Sequence, residues 1–221
     1  MFSKTAGYRH ASIPAGIAAI ESLGVWNGFE IDATEDDHAF SDENLDRYAV
    51  VVFLSTTGDI LDRDQERAFE RFIRKGRGFV GVHSATDTEY DWFWYGLLAG
   101  AYFSDHPAIQ SANIHRLDSL HLSTRELPAL WARTDEWYNF RTQPPPEATV
   151  LLNLDESSYT GGTMGASHPV SWFQEYDGGR SWYTALGHTT ESFSEPEFLR
   201  HLGGGILWAA GIARDSVIVG E

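Results

Sequence analysis

Two short apolar runs, separated by an amphipathic segment, constrain the fold of this chain more than any other feature. Residues 48–54 (YAVVVFL) are β-branched and aromatic without polar alternation, which is typical of a parallel strand buried on both faces. Residues 78–82 (GFVGV) form a second such run, and residues 62–73 between them carry apolar side chains at helical spacing. This strand–helix–strand alternation predicts a parallel sheet with right-handed crossovers.

The rest of the chain extends this α/β pattern. A helix is predicted over residues 12–23 and a further strand near residues 29–32, ahead of the first apolar run. The second half predicts strands, some of them antiparallel, at residues 111–117, 131–140, 150–154, 170–176 and 181–186. We therefore expect a flavodoxin-like three-layer α/β/α fold with a mainly parallel sheet and added antiparallel strands. The expected domain is a single one over residues 1–221, with its first strand truncated at the N-terminus.

A helix is also predicted near the C-terminus, and it contains three consecutive glycines at residues 203–205. Each glycine inside a helix costs about 1 kcal/mol relative to alanine. We expect a close packing contact at this triplet to compensate for that cost.

Charge and composition exclude several classes of function. The formal net charge is −16, and only two lysines are present, so the surface repels phosphate backbones and anionic lipids. A small neutral carbohydrate remains a suitable partner, whereas nucleic acid and membrane do not. The absence of cysteine excludes disulfides, thiolate catalysis and cysteine-based zinc sites. The expected location is the cytoplasm, with a domain of a secreted bacterial protein as the alternative.

Two histidines directly follow predicted buried strands. His83 follows residues 78–82, and the small residues around it suit a tight strand-to-helix turn that exposes one side chain. His188 follows residues 181–186 and a glycine. Ligands of open parallel sheets bind at the carboxyl ends of the strands, so both histidines are candidate catalytic residues. Glu136, in an acidic and aromatic segment, is the preferred catalytic acid, with a solvated strand edge as its alternative.

Other residues near the same sheet edge are candidates for substrate binding. Aromatic rings after His83 suit the faces of a sugar, although ordinary core packing explains them as well. The substrate-binding candidates are His10, Asp87, Trp92, His106, Tyr138 and His168. No metal motif of known spacing is present. Scattered imidazoles and carboxylates can still hold a divalent metal such as zinc, and the candidate ligands are His83, His106 and His188.

Several segments together resemble the ThuA-like (trehalose utilisation) family. They include GYRHASIPAG, VVVFLSTTGD, GFVGVHSATDTEYDW, DEWYNF, GASHPVSW and YTALGHTTESF, and they follow the family order along nearly the whole chain. The resemblance implies a class I glutamine amidotransferase-like fold. His83 then takes the position where those enzymes carry their cysteine, and His188 takes the position of the base. Glutamine hydrolysis by a thiolate is therefore not expected.

The resemblance implies a role in carbohydrate utilisation. The expected substrate is a disaccharide or an oxidised (keto) sugar, and the reaction is a hydrolysis, elimination or isomerisation. A keto group acidifies the neighbouring C–H bond, so histidine and carboxylate bases or a bound metal suit this chemistry. The alternative is a carbohydrate-binding or interaction module without catalytic activity.

Overall fold

Five helices and nine strands form the described part of the chain, residues 1–220 of a computed structural model. The helices are α1 (Ile13–Asn27), α2 (Asp42–Leu45), α3 (Arg63–Arg74), α4 (Phe93–Ala99) and α5 (Pro196–Ala209). The strands are β1 (Val50–Leu54), β2 (Gly78–Val82), β3 (Phe103–Asp105), β4 (Gln110–Arg116), β5 (Leu130–Asp135), β6 (Asn139–Phe140), β7 (Thr149–Leu154), β8 (Pro169–Tyr176) and β9 (Gly179–Thr184). No helix among these residues is long and apolar enough to cross a membrane.

The main sheet is mixed and has seven strands in the order β1-β2-β9-β8-β7-β4-β5. β1, β2 and β9 run parallel, and the strands from β9 to β5 pair antiparallel. A separate two-stranded sheet joins β3 and β6. The predicted flavodoxin-like α/β fold is confirmed. Its parallel part joins β1 and β2 from the first half of the chain to β9 from the second, and its antiparallel part consists of β9, β8, β7, β4 and β5. β1 and β2 are adjacent, as the two apolar runs predict.

The predicted strand near residues 29–32 does not form. Phe2 lies beside β1 instead, where its N–H donates to the carbonyl of Val52 and its carbonyl accepts from the N–H of Leu54. The segment that follows residues 29–32 lies at the outer edge of Phe2, where Thr34 forms an isolated bridge with it. The backbone groups of β1 that could have paired with residues 29–32 are thus already occupied.

Side chains on the two faces of β1 pack against different helices, and this defines the three layers. The ring of Phe53 lies 5.5 Å from that of Phe69 on α3 and 5.7 Å from that of Tyr95 on α4. The next residue, Leu54, points to the opposite face and packs on Gly16 of α1. The sheet is therefore covered on both faces, which explains why β1 and β2 are apolar without alternation.

The predicted strand over residues 131–140 is divided into β5 and β6. β5 ends at Asp135, whose side chain accepts the N–H of the next residue, Glu136, at 3.0 Å. β6 then pairs with β3 rather than with the main sheet. The alternation of side chains between the two faces of the strand therefore ends at Asp135 and does not continue from Glu136 to Tyr138.

The predicted close contact at the glycine triplet of α5 is present. A β-carbon on Gly204 would lie 2.6 Å from the backbone nitrogen of Ser123 and 2.7 Å from the carbonyl oxygen of Leu122. Both neighbours are main-chain atoms of the loop that packs on α5, so they cannot rotate away as the end of a side chain could. The missing side chain allows the helix to approach this loop.

We expect Gly204→Ala to lower the free energy of unfolding by about 1–3 kcal/mol, because overpacking outweighs the gain in helix propensity. Urea unfolding measures the change. The matched control is Gly203→Ala in the same helix, where the closest atoms are side-chain methyls of Val217 and Leu23, which can rotate. Equal urea midpoints of unfolding for the two variants would contradict the close contact proposed at Gly204.

Candidate metal centre

His83 lies at a sharp turn directly after β2, in a left-handed backbone conformation with φ of 52°. This conformation is uncommon for residues other than glycine, and it confirms the strained turn expected from the sequence. The side chain is fully buried, and Nδ1 lies 2.8 Å from the carbonyl oxygen of Ala185. Because a carbonyl only accepts, Nδ1 carries a proton, and Nε2 is the nitrogen that can present a lone pair to a metal.

Three further side chains converge on this Nε2 atom. It lies 3.1 Å from Nε2 of His10, 3.2 Å from Nδ1 of His188 and 3.6 Å from Oε2 of Glu136. Nδ1 of His188 is also 3.1 Å from Oε2 of Glu136. One potential ligand atom from each of the four residues lies within 4.8 Å of the others. The two strand-end histidines thus face one another, as the sequence predicts.

The four residues come from four separate segments. His10 precedes α1, His83 follows β2, and His188 follows β9 at the same carboxyl edge of the parallel strands. Glu136 follows β5, which lies at the far end of the sheet order. Its approach depends on Asp135, whose carboxylate accepts N–H groups of the loop after β9.

Burial and the neighbouring charges set the protonation states of the cluster. Burial, assisted by the two other histidines, lowers the pKa of His10 to about 3, so this ring is neutral. Burial acts to raise the pKa of Glu136, but the hydrogen bond from His188 and the closeness of the His83 ring outweigh it and lower that pKa to about 2. Burial likewise acts to lower the pKa of His188, and its hydrogen bond to Glu136 reverses this, leaving the pKa raised. Glu136 is therefore an anion among imidazoles.

This arrangement fits a divalent metal ion. Zinc–nitrogen bonds of about 2.0 Å at tetrahedral angles place ligand atoms about 3.3 Å apart. The four measured separations, between 3.1 and 3.6 Å, match that spacing. The remaining ring nitrogens of two histidines are also held, since Nδ1 of His83 donates to Ala185 and Nδ1 of His10 lies 3.3 Å from Oγ of Ser84. Such outer contacts orient metal-binding imidazoles.

His106 lies beside the cluster and not within it. Its Nδ1 atom is 3.0 Å from Oε1 of Glu136, the oxygen that faces away from His83. Nδ1 is also 3.0 Å from the carbonyl oxygen of Pro107, so this nitrogen carries the proton. The side chain is 41% exposed, whereas those of His83 and Glu136 are 0% and 7% exposed. His106 is therefore the solvent-facing histidine of the site.

Aromatic rings surround the cluster. Tyr138 is buried and its ring lies 4.2 Å from that of His83 and 4.3 Å from that of Phe103. Tyr8, on the other side, is 66% exposed and meets His10 edge-on at 4.8 Å. Tyr138 thus forms a wall of the site, and Tyr8 offers an open ring beside it.

Of the six sequence-predicted binding residues, His10 belongs to the cluster and His106 and Tyr138 contact it. The other three, Asp87, Trp92 and His168, are held by other contacts. Trp92 is buried in the core against Phe69 and Tyr95, so it has no free ring face for a sugar. The carboxylate of Asp87 accepts a hydrogen bond from the hydroxyl of Tyr90. Asp87 is half-buried, and burial raises its pKa.

His168 is also outside the cluster, and it is fully buried. Its Nε2 atom lies 2.8 Å from the carbonyl oxygen of Tyr138, and its Nδ1 atom lies 2.8 Å from Oε1 of Glu156. Both ring nitrogens are therefore occupied by the protein. The sequence predicts that His168 binds substrate. In the structure, His168 holds the backbone that carries the Tyr138 ring.

Sequence reasoning assigned His10 to substrate binding and overlooked Asp135. His10 could have been included among the candidate metal ligands, since its segment precedes the first helix and reaches the same sheet edge as His83. Nothing in the local sequence of Asp135 indicates its contact with residues 187 and 188, because these lie more than 50 positions further along the chain.

The fold and the histidine cluster define an α/β protein with a candidate metal centre at the carboxyl edge of its parallel strands. The family model described as ThuA, trehalose utilisation, matches residues 1–209, so the chain belongs to the ThuA family. No curated protein matches the sequence significantly.

Solved structures with low sequence identity share this fold. A putative ThuA-like protein from Bacteroides uniformis is 22% identical with a TM-score of 0.79, covering 94% of this chain and 89% of its own. A second putative ThuA-like protein, from Parabacteroides merdae, is 20% identical with a TM-score of 0.80, covering 98% and 91%. A cytoplasmic protein from Salmonella typhimurium is 13% identical with a TM-score of 0.63, covering 91% and 87%.

Proposed function

We propose that this protein is a metal-dependent enzyme that processes a disaccharide or an oxidised (keto) sugar. The observation that carries the proposal is the convergence of His10, His83, His188 and Glu136 within 4.8 Å of one another. Proton transfer and metal binding both require such near-contact geometry. Family membership supports a role in trehalose utilisation, and the acidic, cysteine-free chain suits a neutral ligand better than a phosphorylated one.

The proposed chemistry divides between the cluster and its solvent-facing neighbour. His10, His83, His188 and Glu136 would hold a divalent metal, which would polarise a carbonyl oxygen that binds it as a further ligand. In this proposal His106 exchanges a proton with the carbon beside that carbonyl through Nε2, since its Nδ1 atom is held by Glu136 and Pro107. Tyr8 offers its exposed face to a sugar ring. Elimination or isomerisation of a keto sugar uses these groups together.

The second candidate is a carbohydrate-binding module without turnover. The exposed ring of Tyr8 beside His10 favours it, since aromatic faces bind sugars with or without catalysis. The two candidates differ in one observable, because only the enzyme converts a sugar that it binds.

The test combines metal analysis with a substrate screen. The purified protein is titrated with Zn²⁺, Mn²⁺, Co²⁺ and Ni²⁺ by calorimetry and then incubated with trehalose and with 3-keto disaccharides. We expect one metal per chain and metal-dependent loss of a keto sugar, followed by NMR. Failure to bind any of these ions would overturn the proposal, and metal and sugar binding without conversion would favour the module.

We place this activity in the bacterial cytoplasm, which is where the similar Salmonella protein is described. The alternative remains a domain of a secreted protein. Fractionation of the native host with an antibody against this chain distinguishes the two locations.

A further inference from the structure

We infer that Asp135 is a positioning residue that fixes two of the proposed metal ligands, His188 and Glu136, relative to each other. The inference rests on the proposed metal centre and adds a residue that neither contacts the metal nor faces the substrate. It explains how the end of β5 and the loop after β9 meet, although three strands separate β5 from β9 in the sheet.

The Asp135 carboxylate connects the two ligand-bearing segments directly. Oδ1 accepts the N–H of Glu136 at 3.0 Å and the N–H of His188 at 3.2 Å. Oδ2 accepts the N–H of Gly187 at 2.9 Å. One oxygen thus binds the backbone of both ligands, and the other binds the residue before His188. A shift of either segment would break at least one of these bonds.

Asp135 itself is held rigidly. It is fully buried, and its Oδ2 atom accepts a hydrogen bond of 2.6 Å from Nη1 of Arg133. The same guanidinium binds Glu195 through Nε and the hydroxyl of Ser192 through Nη2. It lies over the ring of Trp131. The buried charge is therefore compensated, and each nitrogen of the guanidinium donates to a protein group.

Only a carboxylate can satisfy this arrangement. Its two oxygens offer about four acceptor positions, and Asp135 uses them for three backbone N–H groups and one guanidinium N–H. Asparagine has one acceptor oxygen and an NH₂ group. Whichever way the asparagine amide is turned, its NH₂ group would face N–H donors, either those of Gly187 and Arg133 or those of Glu136 and His188.

We expect Asp135→Asn to weaken metal binding by about 10–100-fold, the usual effect of changing a group that orients metal ligands. Calorimetry with Zn²⁺ measures the dissociation constant. The visible spectrum of bound Co²⁺, intense for four ligands and weak for six, reports the coordination. At saturating metal we expect kcat to fall more than KM rises, because the sugar does not contact Asp135.

The matched control is Asp62→Asn. Asp62 is also a carboxylate that accepts backbone N–H groups, from Asp64 and Gln65, but it lies at the start of α3 away from the metal cluster. Its replacement should leave both the Zn²⁺ affinity and the Co²⁺ spectrum unchanged, with little change in stability because asparagine also caps helices. Equal Zn²⁺ affinity for wild type and a folded Asp135→Asn variant would overturn the inference while the metal proposal stands.

A second variant keeps the inference testable if Asp135→Asn does not fold. Arg133→Lys retains the positive charge beside Asp135 but loses the planar fork that also binds Glu195 and Ser192. We expect a folded protein whose Zn²⁺ affinity is reduced by a smaller factor than in Asp135→Asn. Unchanged affinity in this variant would count against the inference. Absence of metal binding in the wild type would instead remove the proposed function and the inference with it.

Discussion

Replacing His83 with asparagine is expected to abolish metal binding and to reduce turnover of the sugar by about 1,000-fold or more. Lewis-acid polarisation is worth several kcal/mol in a transition state, and each 1.4 kcal/mol is a factor of about ten in rate. Asparagine is preferred over alanine because it tolerates the left-handed backbone that His83 adopts at φ 52°. Calorimetry and the NMR assay measure the two losses. In EDTA, where both proteins are free of metal, the melting temperature of the variant is expected to stay within a few degrees of that of wild type.

His201→Asn is the matched control for this experiment. His201 is likewise fully buried, and its Nδ1 atom donates to a backbone carbonyl, that of Ser123, at 3.0 Å. It lies in α5 and does not belong to the metal cluster. This variant should lose stability and keep its metal. If His83→Asn unfolds while it retains metal in its folded fraction, His83 is a structural histidine and its assignment as a ligand is wrong.

Removing the metal is expected to lower the melting temperature by about 8–16 °C. A ligand that binds only the folded state at a thousand times its dissociation constant stabilises it by about 4 kcal/mol. For a chain of this size, each kcal/mol shifts the melting temperature by about 2–4 °C. Thermal scans in zinc-buffered solution and in EDTA measure the difference. The ligands come from four segments, so the metal acts as a cross-link between them.

The His83→Asn variant identifies the site responsible for this stabilisation. Its melting temperature should be the same in zinc and in EDTA, because the metal no longer has its full ligand set. A zinc-dependent shift that persists in the variant would locate the effect elsewhere. The exposed group formed by Asp36, Asp37 and His38 is the place to examine in that case.

Much of the fold and part of the site could be predicted from local sequence. The apolar runs at residues 48–54 and 78–82 predict neighbouring parallel strands, because a strand covered on both faces needs apolar side chains on both. The turn at His83 and the meeting of His83 with His188 follow from the same rule, since parallel strands bring their carboxyl ends to one edge. These predictions are confirmed by the pairing of β1 with β2 and by the 3.2 Å between Nε2 of His83 and Nδ1 of His188.

Predictions that depended on continuing a local pattern were less successful. Residues 29–32 have strand-like composition, yet Phe2 already occupies the backbone edge of β1. Trp92 carries the type of ring that binds sugars, but the aromatic core around Phe69 and Tyr95 buries it. Amino-acid type restricts what a residue can do, whereas its burial is decided by neighbours distant in sequence.

Short sequence segments were enough to predict the α/β class, the parallel pair at its start and the histidines that follow two of its strands, because strand burial and strand-end geometry are local properties. His10 and Glu136 were also candidates from the sequence, but their contacts with His83 and His188 became known from the tertiary structure. Glu136 follows an edge strand, and its place depends on Asp135 binding residues 187 and 188 across the fold. Such a contact is a matter of side-chain hydrogen bonding between distant segments, and no periodicity or local propensity encodes it.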